Sequence, residues 1–414
     1  MGLIETLRSV VRFRRVEWSR AQRHLNRAAN IDDLRLLARR RLPRGVFDYI
    51  DGGAEDEITL SRNSEAFRDL EFRPRVLNDV GKVDASTEVL GRRVSFPLVL
   101  APTGFTRIAC SPGELAVARA AERVEIPYTL SSLATRSIEE VRAVSNGDLW
   151  FQVYVWANKG LLAGMLERAA AARYSTIVIT VDTALLGRRE RDVRRGFTLP
   201  PKIGLDTIVD GLLHPGWTWD FARHEPIRFA NVVGESVGDG TDPVSLSEFV
   251  ATQFDPSLKW ADIKWFRDRW EGKIVLKGIQ TVDDAVISLD HGIDAIALSN
   301  HGGRQLDGAP PPIELVVPVV DAVGDRLEVI CDGGVRRGSD IVKAVAMGAK
   351  ACMAGRAYLY GLGAAGEQGV DHALELLGDG VRRTMALTGS TSIADLDRGL
   401  VTRRPGQTDD RPMG

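Results

Sequence analysis

"EVICDGGVRRGSDIVKAVAMGAKACMAG", residues 328–355, reads as strand, helix and strand in succession. The runs "EVIC" and "ACMA" are short and apolar, and "SDIVKAVAMGA" between them carries apolar residues at helical spacing. Strands buried on both faces and joined by a helix are the unit of a parallel sheet. Outward from this stretch the unit recurs. "FPLVLAP" (96–102), "IPYTLSS" (126–132), "LWFQVYV" (149–155), "TIVITVD" (176–182), "KIVLKG" (273–278) and "AIALSN" (295–300) are further apolar runs, most of them separated by helical patterns such as "GELAVARAAERV" and "TVDDAVISLDHG". Eight runs in series predict an α/β fold, the closed (β/α)8 or TIM barrel. An open doubly wound sheet is the rival, and no GxGxxG follows the first strand to support it.

Other segments flank or interrupt the barrel. Residues 31–95 are too short for a domain and predict a helical cover over one barrel end, with Asp32 or Asp33 capping a first helix, a break at Pro43 and another helix opened by "DGGAEDE". Residues 183–272 form an insertion after the fourth strand, far longer than a usual βα loop. Its "IVDGLLHPGWTWDF" (208–221) suits a lid, a subunit contact or an interfacial membrane anchor. Residues 1–30 form a basic arm with seven Arg against Glu5 and Glu17, suited to an anionic membrane surface or to a neighbouring subunit. The barrel with its cover then spans 31–390, and 391–414 remain as a C-terminal tail.

Net charge is −2 over 414 residues, which gives no reason to expect a nucleic-acid partner. Cys110, Cys331 and Cys352 lack any paired spacing, so neither a disulfide framework nor a metal site is expected. No signal-peptide core or membrane-length apolar run occurs. A cytoplasmic location follows, with peripheral attachment to the inner face of the plasma membrane as its extension.

Barrel active sites lie at the C-terminal ends of the strands. The residues there are Thr103 and Gly104, Ser131, Gln152 and Tyr154, Thr180 and Asp182, Lys277, His301 and Arg304, Asp332 with Gly333 and Gly334, then Gly355 and Arg356. This surface is polar and cationic above apolar strands. "DGGVRRGSD" and "AGRAY" set glycine backbone, Arg336 and Arg356 where barrels bind phosphate, a corner shared by sugar phosphates, pyridoxal phosphate and flavin mononucleotide. In "SNHGGRQLDG" (299–308), His301 is a candidate base beside the Arg304 fork, and Asp182 can stabilise an imidazolium. Arg189 adds a second guanidinium, which suits a carboxylate; its alternative is a surface ion pair with Glu190 or Asp192.

Nine motifs in order, "FDYIDGGAEDE", "LAPTGF", "TLSSLAT", "FQVYVW", "TVDTALLGRRERDVR", "VLKGI", "SNHGGRQLD", "CDGGVRRGSD" and "GRAYLYG", resemble the FMN-dependent L-2-hydroxy-acid oxidases and dehydrogenases. "HPGWTWDF" and "FDPSLKW" resemble the respiratory L-lactate dehydrogenases within that family. The resemblance implies that His301 is the catalytic base and Asp182 its partner, that Arg304 and Arg189 bind the substrate carboxylate, and that Tyr49 and Tyr154 bond the carboxylate and the hydroxyl. It places Lys277 against the flavin ring as a stabiliser of negative charge. Thr103, Gly104, Ser131, Gln152, Thr180 and Ser299 would line the flavin, and Asp332, Gly333, Gly334, Arg336, Gly355 and Arg356 its ribitol and phosphate.

The implied reaction is oxidation of L-lactate to pyruvate, with electrons passed to a quinone or other respiratory acceptor, in a homo-oligomer. Alternatives are a hydrogen-peroxide-producing oxidase of larger or aromatic 2-hydroxy acids and a flavin enzyme that modifies a peptide-derived cofactor. The chain departs from glycolate oxidases at Gly104, where they carry Ala, and at Leu133, where they carry Trp. Ala184 replaces the usual Pro after "TVDT".

Overall fold

The computed structural model describes residues 20–195, 204–232 and 255–404, so most of the basic arm, parts of the insertion and the last ten residues lie outside the described residues. All eight apolar runs are strands: β1 (Leu98–Leu100), β2 (Tyr128–Ser131), β3 (Leu149–Tyr154), β4 (Thr176–Thr180), β5 (Lys273–Ile279), β6 (Ala295–Ser299), β7 (Glu328–Asp332) and β8 (Ala351–Ala354). Each pairs in parallel with its sequence neighbours, and β8 closes on β1, so the sheet is a (β/α)8 barrel.

The pleat separates two cores. Trp150, Val178, Val275, Ala297, Ile330 and Met353 fill the barrel interior, while alternate residues such as Phe151, Ile177, Leu276 and Leu298 pack outward in the larger cluster shared with the helices. Each Val, Ile, Leu, Phe or Met among them, taken fully out of water, contributes about 1.5–3 kcal/mol. A hairpin, Thr87–Val89 with Arg92–Val94, adds Val89, Leu90 and Val94 to the interior cluster. The Leu90 N–H donates to Glu328 at the start of β7, which puts this hairpin at the N-terminal end of the barrel and leaves the opposite mouth open.

The cover consists of α1 (Ile31–Arg41), α2 (Arg44–Asp51) and α3 (Ile58–Arg68). The cap of α1 is Asn30, not Asp32 or Asp33. Asn30 has extended backbone, and its side chain accepts from the Asp33 N–H at 2.9 Å. Asp33 stands in the first turn and reaches back to the Ala29 N–H at 2.8 Å.

In the insertion, α4 (Leu205–Leu213) and α5 (Pro215–Arg223) form a helical pair, with Pro215 at the first position of α5. Their inner side is tied down. Trp217 Nε1 donates to the Ile108 carbonyl at 2.7 Å, Asp220 accepts from Ser111 N and Oγ at 2.9 and 2.7 Å, and Asp210 accepts from Arg44 N at 2.6 Å. The stretch read as a tail begins as part of the body: Val401–Arg403 pairs antiparallel with Leu70–Phe72. Three-residue runs carry too little periodicity to be read as strands in advance. After β8 comes α6 (Arg356–Ala365). No helix among the described residues is long and apolar enough to cross a membrane.

Candidate active site

Strand periodicity lifts the polar groups to the mouth. In β4, Ile177 and Ile179 face the helices and Val178 the interior, so Thr180 and then Asp182 arrive on the inner side. The same count in β5 brings up Lys277 after Val275, in β6 Ser299 after Ala297, in β7 Asp332 after Ile330, and in β3 Gln152 and Tyr154 after Trp150. These groups meet at a cavity of about 400 Å³. Tyr49, Thr103, Gly104, Tyr154, Arg189, Lys277, His301 and Arg304 line it on one side, and Asp332, Gly333, Gly334, Arg336, Gly355 and Arg356 at the β7–β8 corner. Asp182, Ser131, Gln152, Thr180 and Ser299 lie beneath this lining as buried supports.

His301 Nδ1 lies 2.9 Å from Asp182 Oδ1. A carboxylate only accepts, so Nδ1 carries a proton, which leaves Nε2 as the ring atom that faces a substrate proton. The Asp182 side chain is 2% exposed and its Oδ2 has no hydrogen-bond partner among the described residues. Burial alone would push its pKa up, but His301 and Lys277 hold it below the usual carboxylate value. Gly278 permits this placement. It stands at φ 113°, where the β5–β6 register slips, and a Cβ there would come 2.7 Å from the Asp182 Cβ. His301 itself has φ 57°, in a turn continued by Gly302 and Gly303. Behind that turn Asn300 and Asn63 exchange hydrogen bonds at 2.8 and 2.7 Å.

Ser299 Oγ is the hub of the floor. It accepts from Lys277 Nζ at 3.1 Å and from the His301 N–H at 3.0 Å, and donates to Asp332 Oδ2 at 2.8 Å. Lys277 also pairs with Asp332 at 3.0 Å. Burial pulls the ammonium pKa down, but the charges of Asp332 and Asp182 outweigh it and raise the value overall. The floor thus holds a charged ammonium paired with Asp332. Beside it, Leu133 N donates to Ser131 Oγ, Ser131 Oγ to Gln152 Oε1 and Gln152 Nε2 to Thr180 Oγ1, at 3.1, 2.8 and 2.9 Å.

Two guanidinia converge on Tyr49, with Arg304 at 5.1 Å and Arg189 at 5.4 Å from the ring centre. Arg189 is also paired with Asp192 at 2.6 Å, so the ion pair expected as its alternative exists, but both residues line the cavity. Arg304 donates to the Tyr49 and Gly52 carbonyls at 2.6 and 3.2 Å and has no carboxylate in ion-pair range among the described residues. Burial, then the neighbouring Arg189 charge, pulls its pKa down to about 9. A part-buried guanidinium that lines the cavity without a carboxylate partner favours an anionic ligand. Burial, followed by the charge of Asp182, pushes the Tyr154 phenol above its ordinary value, so it stays protonated.

At the phosphate corner Gly334 has φ 82°, and a Cβ there would overlap the Asn63 carbonyl. The N-terminus of α6 starts at Gly355 in the same wall. Arg336 lines the corner, with Nη1 on the Val335 carbonyl at 2.8 Å. Arg356 lines the same corner and is also bonded to backbone. Its Nε, Nη1 and Nη2 donate to the carbonyls of Ile50, Gly302 and Gly52 at 3.1, 2.7 and 2.8 Å, clamping the cover to the His301 turn.

This donor set suits the cofactor implied by the sequence: a buried lysine to stabilise negative charge on a reduced ring, hydroxyl and amide groups able to bond ring nitrogens and oxygens, and a glycine-backed corner with Arg336 for a phosphate. Above it stand a base with a carboxylate partner and a guanidinium pair. Sequence reading missed Gln305, whose Nε2 bonds the Asp182 and Leu185 carbonyls at 3.0 and 2.9 Å and whose Oε1 accepts from Gly187 N at 2.6 Å. It lay inside a quoted motif without an assigned role. Phe105 and Phe229, an aromatic part of the cavity wall, were also missed, and nothing in the periodicity marks Phe229.

The sequence matches the family described as FMN-dependent dehydrogenase over residues 38–403. It is 42% identical over 373 residues to the L-lactate dehydrogenase of Caulobacter vibrioides, covering 90% of this chain and 97% of that one. It is 41% identical over 384 residues to the (S)-mandelate dehydrogenase of Pseudomonas putida, covering 93% and 96%. The crystal structure of the monotopic membrane protein (S)-mandelate dehydrogenase superposes with a TM-score of 0.88 at 40% identity, over 91% of this chain and all of that one.

Proposed function

Because the chain belongs to the FMN-dependent dehydrogenase family, we propose that it oxidises L-lactate to pyruvate and passes the electrons to a quinone or another membrane-borne acceptor. FMN, when bound, supplies the two-electron acceptor. The protein's part is to hold the acid and move a proton. Arg304 and Arg189 take the carboxylate, with Tyr49 between them. Tyr154 donates to the substrate oxygen, and His301 Nε2 accepts a proton from the substrate. Asp182 stabilises the imidazolium that forms, and Lys277 would supply positive charge to the FMN when it takes up electrons. Arg336, the Gly333–Gly334 turn and the start of α6 would hold the FMN phosphate.

The observation that carries this reading is the 2.9 Å His301–Asp182 contact in the cavity that also holds the two guanidinia. The membrane part rests on α4 and α5. Ile208, Leu212, Leu213 and Trp219 there are 52–71% exposed although the opposite side of the pair is bonded to the barrel. That outward face would lie in the interface plane.

The test is anaerobic mixing of the FMN-loaded protein with L-lactate and, separately, L-mandelate, followed by readmission of air. Loss of the flavin's visible absorbance with lactate, recovered slowly in air and quickly with a quinone analogue, is the expected result. Rapid recovery in air with peroxide release would replace the dehydrogenase by an oxidase. A protein that retains FMN and is bleached by neither acid would sink the substrate assignment.

A further inference from the structure

The insertion returns to the barrel through residues 225–232, and this short segment is anchored more firmly than its lack of regular structure suggests. Asn231 is fully buried; its Oδ1 accepts from Ile138 N at 3.0 Å and its Nδ2 donates to the Arg136 carbonyl at 3.2 Å. Ala230 N donates to the Ala134 carbonyl at 3.1 Å, which sets the segment beside the loop that carries Leu133. Arg107 Nη2 holds the Glu225 carbonyl at 2.8 Å. The result is that Phe229, only 4% exposed, enters the cavity wall.

Its ring lies 5.5 Å from that of Phe105 at a tilt of 49°, and Phe105 meets Tyr49 edge-on at 6.3 Å. Three rings thus run from the insertion to the guanidinium pair. Phe105 takes part at a cost, since it holds φ 62° without being glycine. The polar end of the cavity, at Tyr49, Arg189 and Arg304, is where an acid's carboxylate is held. The substituent on its C2 then faces the apolar end made by Phe105, Leu133 and Phe229.

We propose that Phe229 is a specificity-determining residue: its ring fills the side-chain end of the pocket and restricts the substrate to 2-hydroxy acids with a small substituent. This rests on the carboxylate placement proposed above. Leu133, which stands where glycolate oxidases carry a larger Trp, leaves room on that side, and Phe229 takes it up from the insertion. The insertion therefore contributes to substrate choice as well as offering an apolar outer face.

The experiment separates size selection from turnover. Wild-type holoenzyme, Phe229→Ala and Phe229→Leu are titrated with pyruvate and with phenylglyoxylate, reading the shift of the flavin absorbance, and the ratio of the two affinities is compared. The expected result is a rise of roughly tenfold or more in relative preference for phenylglyoxylate in Phe229→Ala, with a smaller rise in Phe229→Leu. A purely structural role would weaken both ligands together and leave the ratio within about twofold, which would overturn the proposal. Should Phe229→Ala fail to hold FMN, the Phe229→Leu ratio decides alone. Anaerobic bleaching of the wild-type enzyme by lactate reports on the catalytic reading separately, so failure of one leaves the other measurable.

Discussion

Two regions meet in the cavity and are built differently. Asp182, Lys277, Ser299 and Asp332 stand at the mouths of four neighbouring strands, β4 to β7, and bond to one another or to the His301 turn within about 3 Å. Tyr49, Arg189 and Phe229 come from the cover and the insertion, outside the barrel strands. The strand side is a closed network whose members hold one another in place, so proton and charge positions there are preorganised. The outer side is attached by capping contacts and carbonyl clamps, Arg356 above all, and can vary without disturbing the floor. The difference teaches that groups for proton and electron movement are fixed by barrel register, whereas groups that choose the acid are supplied by segments free to change.

If so, changes on the strand side should act on the rate of flavin reduction and changes on the outer side on affinity. The largest effect belongs to His301→Gln. It should keep bound FMN and lose roughly 10²–10⁴-fold in anaerobic reduction rate. Near-normal reduction would remove the base from His301 and break the division at its centre. Asp182→Asn follows, since it keeps an acceptor near Nδ1 but removes the charge that favours the imidazolium. Loss of a charge-assisted hydrogen bond worth about 1.5–3 kcal/mol predicts a rate lower by about 10–150-fold with KM little changed. A KM effect larger than the rate effect would mean that Asp182 shapes the binding site instead.

Arg304→Lys tests the seam, since Arg304 stands in the turn after β6 but its guanidinium reaches the cover. A point charge replaces a planar fork, and the contacts to the Tyr49 and Gly52 carbonyls are lost. KM for the acid should rise about tenfold with the reduction rate at saturation nearly kept. If the rate falls instead while KM holds, the two regions are not separable and Arg304 belongs with the floor.

The same contrast explains what sequence alone could reach. Strand residues were legible because period 2 carries a side chain from a buried position to the mouth: Val275 inward entails Lys277 inward, and Ala297 entails Ser299. Eight such runs also settle the barrel. The resemblance to a family placed Tyr49, a cover residue that no strand count reaches. The clamp that Arg356 makes on three carbonyls was not legible, because it depends on how the cover docks. Phe229 was hidden for a stronger reason. It sits in an aperiodic segment whose position is set by Asn231 bonding a loop about 95 residues earlier in the chain. The cap of α1 failed on a smaller scale, since Asn30, Asp32 and Asp33 are all good capping residues and the choice lies in backbone angles.

The smallest expected effect is at the seam between the regions. Gly104 follows β1 on the barrel side, and a Cβ there would stand 3.2 Å from the Leu133 Cβ and 3.3 Å from the Leu133 carbonyl oxygen. These distances are tight without being impossible, so Gly104→Ala should fold and cost about 1 kcal/mol, seen as a fall of roughly 2 °C in Tm of the FMN-loaded protein. Leu133→Gly should cost more on its own, since it removes the side chain, Cβ included, from the wall that Ala230 braces through Ala134. The informative quantity is the double variant. If the two regions share one packed wall, relief of the Cβ contact makes the pair less destabilised than the sum of the singles, by about 0.5 kcal/mol or more. Simple additivity would mean that the Leu133 backbone alone crowds position 104, and the side chain of Leu133 would then answer only to the apolar end of the pocket.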